Sequence, residues 1–199
     1  MERVILAKPK SNPTFISSWI IKPTSLCDEL IKYFEANKSK QYLGVTASGL
    51  NPEIKDTTDL SIKPKDILIP GNEIFKNYIE EIHKCHKDYI SQWEFLENNP
   101  TAYEIGTFAM VRYKPGQHFK KIHTERFSLD TLHRVFVFMT YLNDVEEGGS
   151  TYFSNYDLDI KPKKGLTLIW PAEWTHAHRG KILKSGLKYI ISGWIDFSY

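Results

Sequence analysis

Across residues 72–93 the apolar side chains Ile74, Phe75, Tyr78, Ile79, Ile82, Cys85, Tyr89, Ile90 and Trp93 recur about every three or four positions, with His86 among them. That period places them on one face of a long helix, and so apolar a face is expected to pack against a sheet. A shorter helix is expected to start at Ser25 and to end between Asn37 and Lys40. Leu26, Leu30, Ile31 and Phe34 keep the helical period, Pro23 precedes them, and Ser25 with Asp28 has the form of a capping box. Asn98-Asn99-Pro100 stops the helical pattern. Residues 15–21 read as an edge strand. Residues 41–70 are loop-rich, punctuated by Gly44, Gly49, Pro52, Pro64 and Pro70, with a short strand at 57–62.

From Tyr103 the period shortens to that of strands. Candidates are residues 105–113, 119–124, 135–142, 150–153, 158–162, 166–170, 176–182 and 187–197. The turn signals between them are Lys114-Pro115-Gly116-Gln117, Glu146-Glu147-Gly148-Gly149, Lys163-Lys164-Gly165 and Lys184-Ser185-Gly186. Short strands at regular spacing argue for a jelly roll or sandwich, and the helices for a buttress on one sheet. The expectation is an α+β chain forming a single domain over residues 1–199, with 1–100 as helical and loop support and 101–199 as the core.

Composition narrows the class. Of 199 residues, 41% are hydrophobic and 25% charged, as in ordinary globular proteins. A net charge of +2 gives no reason to expect a nucleic-acid or membrane partner. The two cysteines, Cys27 and Cys85, do not suggest a disulfide framework and fit a reducing compartment better. The apolar patch Val4-Ile5-Leu6-Ala7 is too short for a signal segment, and no run is long enough to span a bilayer. The expectation is a soluble, cytoplasmic protein.

The chemistry concentrates in the histidines. His83 and His86 lie on the long helix without an obvious third ligand, and are read as structural. His118 and His133 default to surface or supporting roles. His123 and Glu125 stand two residues apart on an expected strand, where such positions share a face. A distant imidazole, His176 or His178, would complete two histidines and one carboxylate. That set suits a non-haem Fe(II) ion with open positions for substrate and O2.

Residues 110–194 carry further matches. They are Arg112-Tyr113-Lys114-Pro115-Gly116-Gln117-His118-Phe119, Thr140-Tyr141-Leu142-Asn143-Asp144-Val145-Glu146-Glu147-Gly148-Gly149-Ser150-Thr151-Tyr152-Phe153, Ile160-Lys161-Pro162-Lys163-Lys164-Gly165, His178-Arg179-Gly180 and Gly186-Leu187-Lys188-Tyr189. In order and spacing these resemble the core of the 2-oxoglutarate/Fe(II)-dependent dioxygenases, in their prolyl 4-hydroxylase-like branch. The resemblance implies a double-stranded β-helix (jelly roll) and His123, Glu125 and His178 as catalytic metal ligands. It selects His178 over His176, because the family places a glycine eight and a lysine ten residues after the ligand, here Gly186 and Lys188. Lys188 would pair with the far carboxylate of 2-oxoglutarate, Tyr113 and Tyr141 would help to hold that cosubstrate, and Thr151 and Trp194 would line the pocket. One position departs: the family pattern is His-x-Asp, and here it is His-x-Glu.

The implied reaction consumes 2-oxoglutarate and O2, with ascorbate as a stimulant, and hydroxylates a substrate C–H, leaving succinate and CO2. A prolyl residue in a peptide or protein is the expected substrate. A free amino acid or other small molecule, and a catalytically degenerate jelly-roll binding module, are the alternatives. Arg126, Arg179, Trp174 and Trp170 flank the site and are candidates for substrate contact, with His176 at its mouth.

Overall fold

The computed structural model describes residues 13–46, 49–99 and 101–198; the patch Val4–Ala7 lies outside them. In chain order the elements are β1 (Ser17–Ile20), α1 (Ser25–Ala36), β2 (Tyr42–Leu43), β3 (Val45–Thr46), β4 (Gly49–Leu50), β5 (Thr58–Ile62), α2 (Glu73–Ser91) and α3 (Glu94–Glu97). They continue with β6 (Tyr103–Tyr113), β7 (Arg134–Tyr141), β8 (Thr151–Phe153), β9 (Leu158–Ile160), β10 (Leu166–Pro171), β11 (His178–Gly180) and β12 (Lys188–Phe197). A seven-stranded antiparallel sheet runs β1-β10-β7-β12-β6-β5-β2, and a three-stranded sheet runs β11-β8-β9. The two sheets flank a common core without closing into a barrel. This is the α+β, jelly-roll architecture with helices on one face.

The period-two alternation of the central strands explains both faces. Phe108 and Met110 of β6, Phe136 and Phe138 of β7, and Ile191 and Ile195 of β12 join Phe34 of α1 and Phe75, Tyr78, Ile82 and Tyr89 of α2 in one buried cluster. Gly193 is required there, since a side chain would meet Phe108 and Phe138. Their neighbours Val111, Val137, Met139, Tyr141 and Ile190 face the other way. They pack with Leu168 and Trp170 of β10 and Phe153 of β8 in a second cluster between the sheets.

Several expectations change locally. No capping box forms on α1: Thr24 is its N-cap with no side-chain cap bond, which puts Asp28 one position past N3, and its carboxylate pairs with Lys164 Nζ at 2.6 and 2.7 Å. The helix on 72–93 ends at Ser91, and residues 94–97 form a separate short turn. Residues 119–124 form no strand. They make single bridges, Phe119 to Lys55 and His123 to His178, because they run between two partners instead of along one ladder. The expected strand over 176–182 shortens to β11, with Trp174–His176 a 3-10 turn, so His176 and His178 do not share a strand face. Cys27 and Cys85 are buried free thiols.

Candidate active site

His123 and His178 meet through their backbones. Each N–H donates to the other's carbonyl at 2.9 Å, forming a hydrogen-bonded antiparallel pair. Residues directly opposite one another in such a pair project to the same side. The two rings accordingly lie 4.5 Å apart between centroids. Chain entry into Glu125 is set by Ala172, whose carbonyl accepts from Thr124 Oγ1 at 2.7 Å and from the Arg126 N–H at 3.0 Å.

The donor atoms converge. Glu125 Oε1 lies 3.4 Å from His123 Nε2 and 3.8 Å from His178 Nε2. Each Nδ1 is 2.9 Å from a carbonyl, Lys121 O for His123 and His176 O for His178. A carbonyl can only accept, so each Nδ1 carries a hydrogen, and a neutral ring then turns an Nε2 lone pair toward the carboxylate. Burial, reinforced by the facing His123, pushes His178 down to about 4, against the opposing pull of Glu125, so its ring is neutral at pH 7. Burial alone would raise the Glu125 carboxyl. A proton shared with His123 Nε2, the positive charge of an imidazole when protonated and the Trp194 N–H outweigh it and hold the group at about 2, so the carboxylate draws a cation, a proton or a metal, into the space between them. An ionised carboxylate and imidazole lone pairs aimed at one point repel unless a cation lies between them. Among the described residues this is the one His/Cys/Asp/Glu cluster with donors close enough to hold a metal, all within 4.8 Å of one another. Two imidazoles and one carboxylate are a donor set that would suit a non-haem Fe(II) ion.

These groups line a cavity of about 150 Å³. Between ring centres, Phe119 stacks on His123 at 3.8 Å, Trp170 meets His178 edge-on at 5.2 Å, and Phe153 lies tilted against His178 at 5.4 Å. Lys188 lies deeper, 2% exposed, its Nζ donating to Gly149 O at 2.8 Å and sitting 4.0 Å from the Tyr113 ring centre. Burial pushes its pKa down to about 7, and among the described residues no acidic group counters that shift. Gly149 has φ +69°, and a Cβ there would crowd Lys188 Cδ at 3.2 Å. Tyr113 also lines the cavity; burial raises its pKa, so its phenol stays protonated and can donate.

The other expected site residues separate. Thr151 and Trp194 line the cavity, but Trp194 spends its indole N–H on Glu125 Oε2 at 2.9 Å. Tyr141 lies outside the lining. Its hydroxyl is hydrogen-bonded to Thr151 Oγ1 (2.6 Å) and Ile160 O (3.1 Å), so it steadies Thr151 instead of reaching a ligand. Arg126 pairs with Glu173, next to Trp174, which is 70% exposed. Arg179 lies one step along β11 from His178, and alternation turns it to Tyr152, away from the cavity. His176 is buried, with Nε2 2.8 Å from Thr14 O, and does not reach a mouth. His86 is wedged against Tyr103 and Phe136, as the structural reading expects.

Two contributors escaped the sequence reading. Lys55 lines the cavity from the loop-rich segment, with Nζ 2.6 Å from the buried Asp59. Its loop is fastened to the site by Asp56 N–H to His118 O at 3.1 Å and Lys120 N–H to Ile54 O at 2.8 Å. A lysine four residues before an aspartate in a proline- and glycine-punctuated stretch was the available signal. Arg134 donates to Glu125 O at 3.0 Å and stacks 3.6 Å from the Trp194 ring centre. Nothing in its local sequence marks it.

Comparison with known proteins gives a consistent picture. The family model of the 2OG-Fe(II) oxygenase superfamily matches residues 108–196. The chain is 28% identical over 176 residues to the Gallus gallus procollagen-lysine,2-oxoglutarate 5-dioxygenase 1, a match covering 85% of this chain and 22% of that protein. It is 24% identical over 182 residues to the Arabidopsis thaliana probable prolyl 4-hydroxylase 11, covering 87% of this chain and 58% of the relative. The chain thus spans about a fifth of the lysyl hydroxylase and under two thirds of the plant protein. The fold is similar to that of a Trichoplax adhaerens prolyl hydroxylase solved with a hypoxia inducible factor peptide fragment (TM-score 0.72, 18% identity, 92% of this chain and 84% of that one). It is also similar to a viral collagen prolyl hydroxylase from Paramecium bursaria Chlorella virus-1 (TM-score 0.66, 23% identity, 92% and 97%).

Proposed function

We propose that the chain, whose residues 108–196 match the family model of the 2OG-Fe(II) oxygenase superfamily, is a 2-oxoglutarate-dependent Fe(II) dioxygenase that hydroxylates a prolyl residue of a peptide or protein. The observation that carries the reading is the pairing, in one cavity, of the His123–Glu125–His178 donor set with a buried ammonium lacking a carboxylate partner. Fe(II) held there would supply the oxidising chemistry that couples decarboxylation of 2-oxoglutarate to C–H hydroxylation, giving succinate and CO2.

The protein's own groups do the positioning. His123 and His178 offer Nε2 lone pairs whose direction is fixed by the Nδ1–carbonyl bonds. Glu125 stays ionised and supplies one oxygen. Lys188 receives the far carboxylate of 2-oxoglutarate and gains the counter-ion it lacks, while Tyr113 donates a hydroxyl from the same wall. Thr151, steadied by Tyr141, offers a further polar contact. Phe119, Met139, Trp170 and Ile190 keep the cavity dry, which strengthens every charge interaction inside it. Arg126 and Trp174 at the rim are candidates for peptide contact.

Prolyl hydroxylation is supported by the names of the plant relative and of both structural neighbours. A lysyl residue is the second reading, favoured by the 28% likeness to the avian lysyl hydroxylase. The test incubates protein with Fe(II), ascorbate, 2-oxoglutarate and panels of prolyl- and lysyl-containing peptides, reading succinate and an added oxygen on the peptide. Turnover is expected with the native protein. His178→Ala should lower it at least ~1000-fold, the scale of several kcal/mol of lost transition-state stabilisation. No succinate from the native protein, or full turnover in His178→Ala, overturns the reading.

A further inference from the structure

Glutamate at 125 poses a geometric problem. Its side chain is one methylene longer than the aspartate of the family pattern, has one more rotatable bond, and can turn either or both oxygens toward an ion. The structure answers it with a clamp. Oε2 accepts the Trp194 indole N–H at 2.9 Å, leaving Oε1 as the oxygen nearest to both Nε2 atoms, at 3.4 and 3.8 Å. Arg134 holds both ends of that arrangement: its NH1 donates to the Glu125 carbonyl at 3.0 Å, and its guanidinium stacks 3.6 Å from the indole centre. The same NH1 lies 3.9 Å from Oε2.

We propose that Trp194 is a positioning residue for Glu125, and that its indole N–H is what allows a glutamate to act as a single-oxygen donor beside His123 and His178. The proposal rests on the metal-site reading above. Tying back Oε2 takes up the extra methylene and stops the second oxygen from occupying a position needed by other ligands. Aspartate at 125 would draw the carboxylate back by roughly one C–C bond, about 1.5 Å. Its far oxygen would then lie beyond hydrogen-bond reach of the indole, so an aspartate must be held by its own shortness, and Trp194 should matter to the glutamate alone.

That asymmetry gives a double-substitution test read by metal affinity instead of turnover. Mn(II) binding, followed by the electron paramagnetic resonance of the free ion, is measured for native protein, Trp194→Phe, Glu125→Asp, Glu125→Ala and the Trp194→Phe/Glu125→Asp double variant. In the glutamate protein, Trp194→Phe should weaken binding about 10- to 100-fold, the usual scale for loss of a ligand-orienting partner. Glu125→Asp should stay within about tenfold of native, and adding Trp194→Phe to it should change affinity less than about threefold. Damage to the fold from removing the indole would lower affinity in both backgrounds, which overturns the proposal. So does an unchanged Trp194→Phe, or a Glu125→Asp protein that binds no better than Glu125→Ala. Failure of the native protein to bind Mn(II) would instead remove the metal site itself, and the proposed function with it.

Discussion

Strands β6, β7 and β12 present two unlike surfaces from the same backbone. On the helix side, Phe75 meets Phe108 at 5.8 Å and Tyr78 meets Phe138 at 6.4 Å between ring centres. The hydroxyls among them are paired in a short chain, Tyr78 to Thr140 at 2.9 Å and Thr140 to Thr167 at 2.7 Å. On the cavity side, one residue along each strand, stand Ala109, Val111, Tyr113, Met139, Lys188, Ile190, Ser192 and Trp194. There a buried ammonium has a carbonyl and an aromatic face but no carboxylate, and three metal-type donors crowd one point. Buried polar groups are costly unless partnered. On the first face His86 Nε2 and Trp93 Nε1, two neutral ring nitrogens at its edge, are buried without a partner among the described residues, while the second holds a charged group and metal-type donors that only ligands would satisfy. Alternation separates the two tasks, so substitutions one residue apart should damage different properties.

The largest effect should come from the helix side. Phe75→Ala removes a fully buried ring and should lower unfolding stability by about 3–5 kcal/mol in urea titrations. Its 2-oxoglutarate affinity, measured on the folded protein loaded with Mn(II), should stay within about twofold, since Phe75 is apart from the cavity by more than a shared contact. Joint loss of binding would break the comparison.

Lys188→Met should do the reverse. Calorimetry should show 2-oxoglutarate binding weakened about 100-fold, the range of a truncated buried charge contact. The urea midpoint of the ligand-free protein should hold or rise, because an uncompensated buried charge is exchanged for an apolar side chain. A lower midpoint would make Lys188 structural.

The pH dependence sharpens the same point. Lys188 has its folded pKa depressed from 10.5 to about 7, so it is charged below that value and neutral above it. Without ligand, the unfolded chain binds the extra proton between these limits, and this group therefore adds stability as pH rises from about 7 toward 10.5. A carboxylate ligand needs the charged form, so its binding takes up a proton. Affinity should fall by up to about tenfold per pH unit above 7, and Lys188→Arg should flatten that slope. A native slope of zero would show that the ammonium is not the anchor.

Tyr78→Phe should have the smallest effect. It removes one hydrogen bond on the helix side at a cost of about 1 kcal/mol, with ligand affinity unchanged.

Much of this partition was legible in the chain. The helical period of Phe75, Tyr78, Ile82 and Tyr89 named the face that packs on the sheet, and these residues are buried there. Gly148, Gly149, Gly165 and Gly186, taken as turn signals, all adopt positive φ, which glycine tolerates without strain. His176 and Tyr141 were less legible, because their hydrogen-bond partners, Thr14 O for one and Thr151 and Ile160 O for the other, come from remote segments. Residues 119–124 misread as a strand for a related reason. Their apolar pattern is strand-like, but the edges beside them belong to Lys55 and His178.

By itself, then, the sequence determined the local elements and a set of candidate donors, since period, turn chemistry and motif spacing are carried by neighbouring residues. Only the tertiary structure decided which donors converge. The backbone pair that sets His123 against His178, the Arg134–Trp194 clamp on Glu125 and the loop that brings Lys55 to the cavity all join segments remote in the chain. Such contacts depend on register and on how the sheets face each other, and no short stretch of residues encodes either.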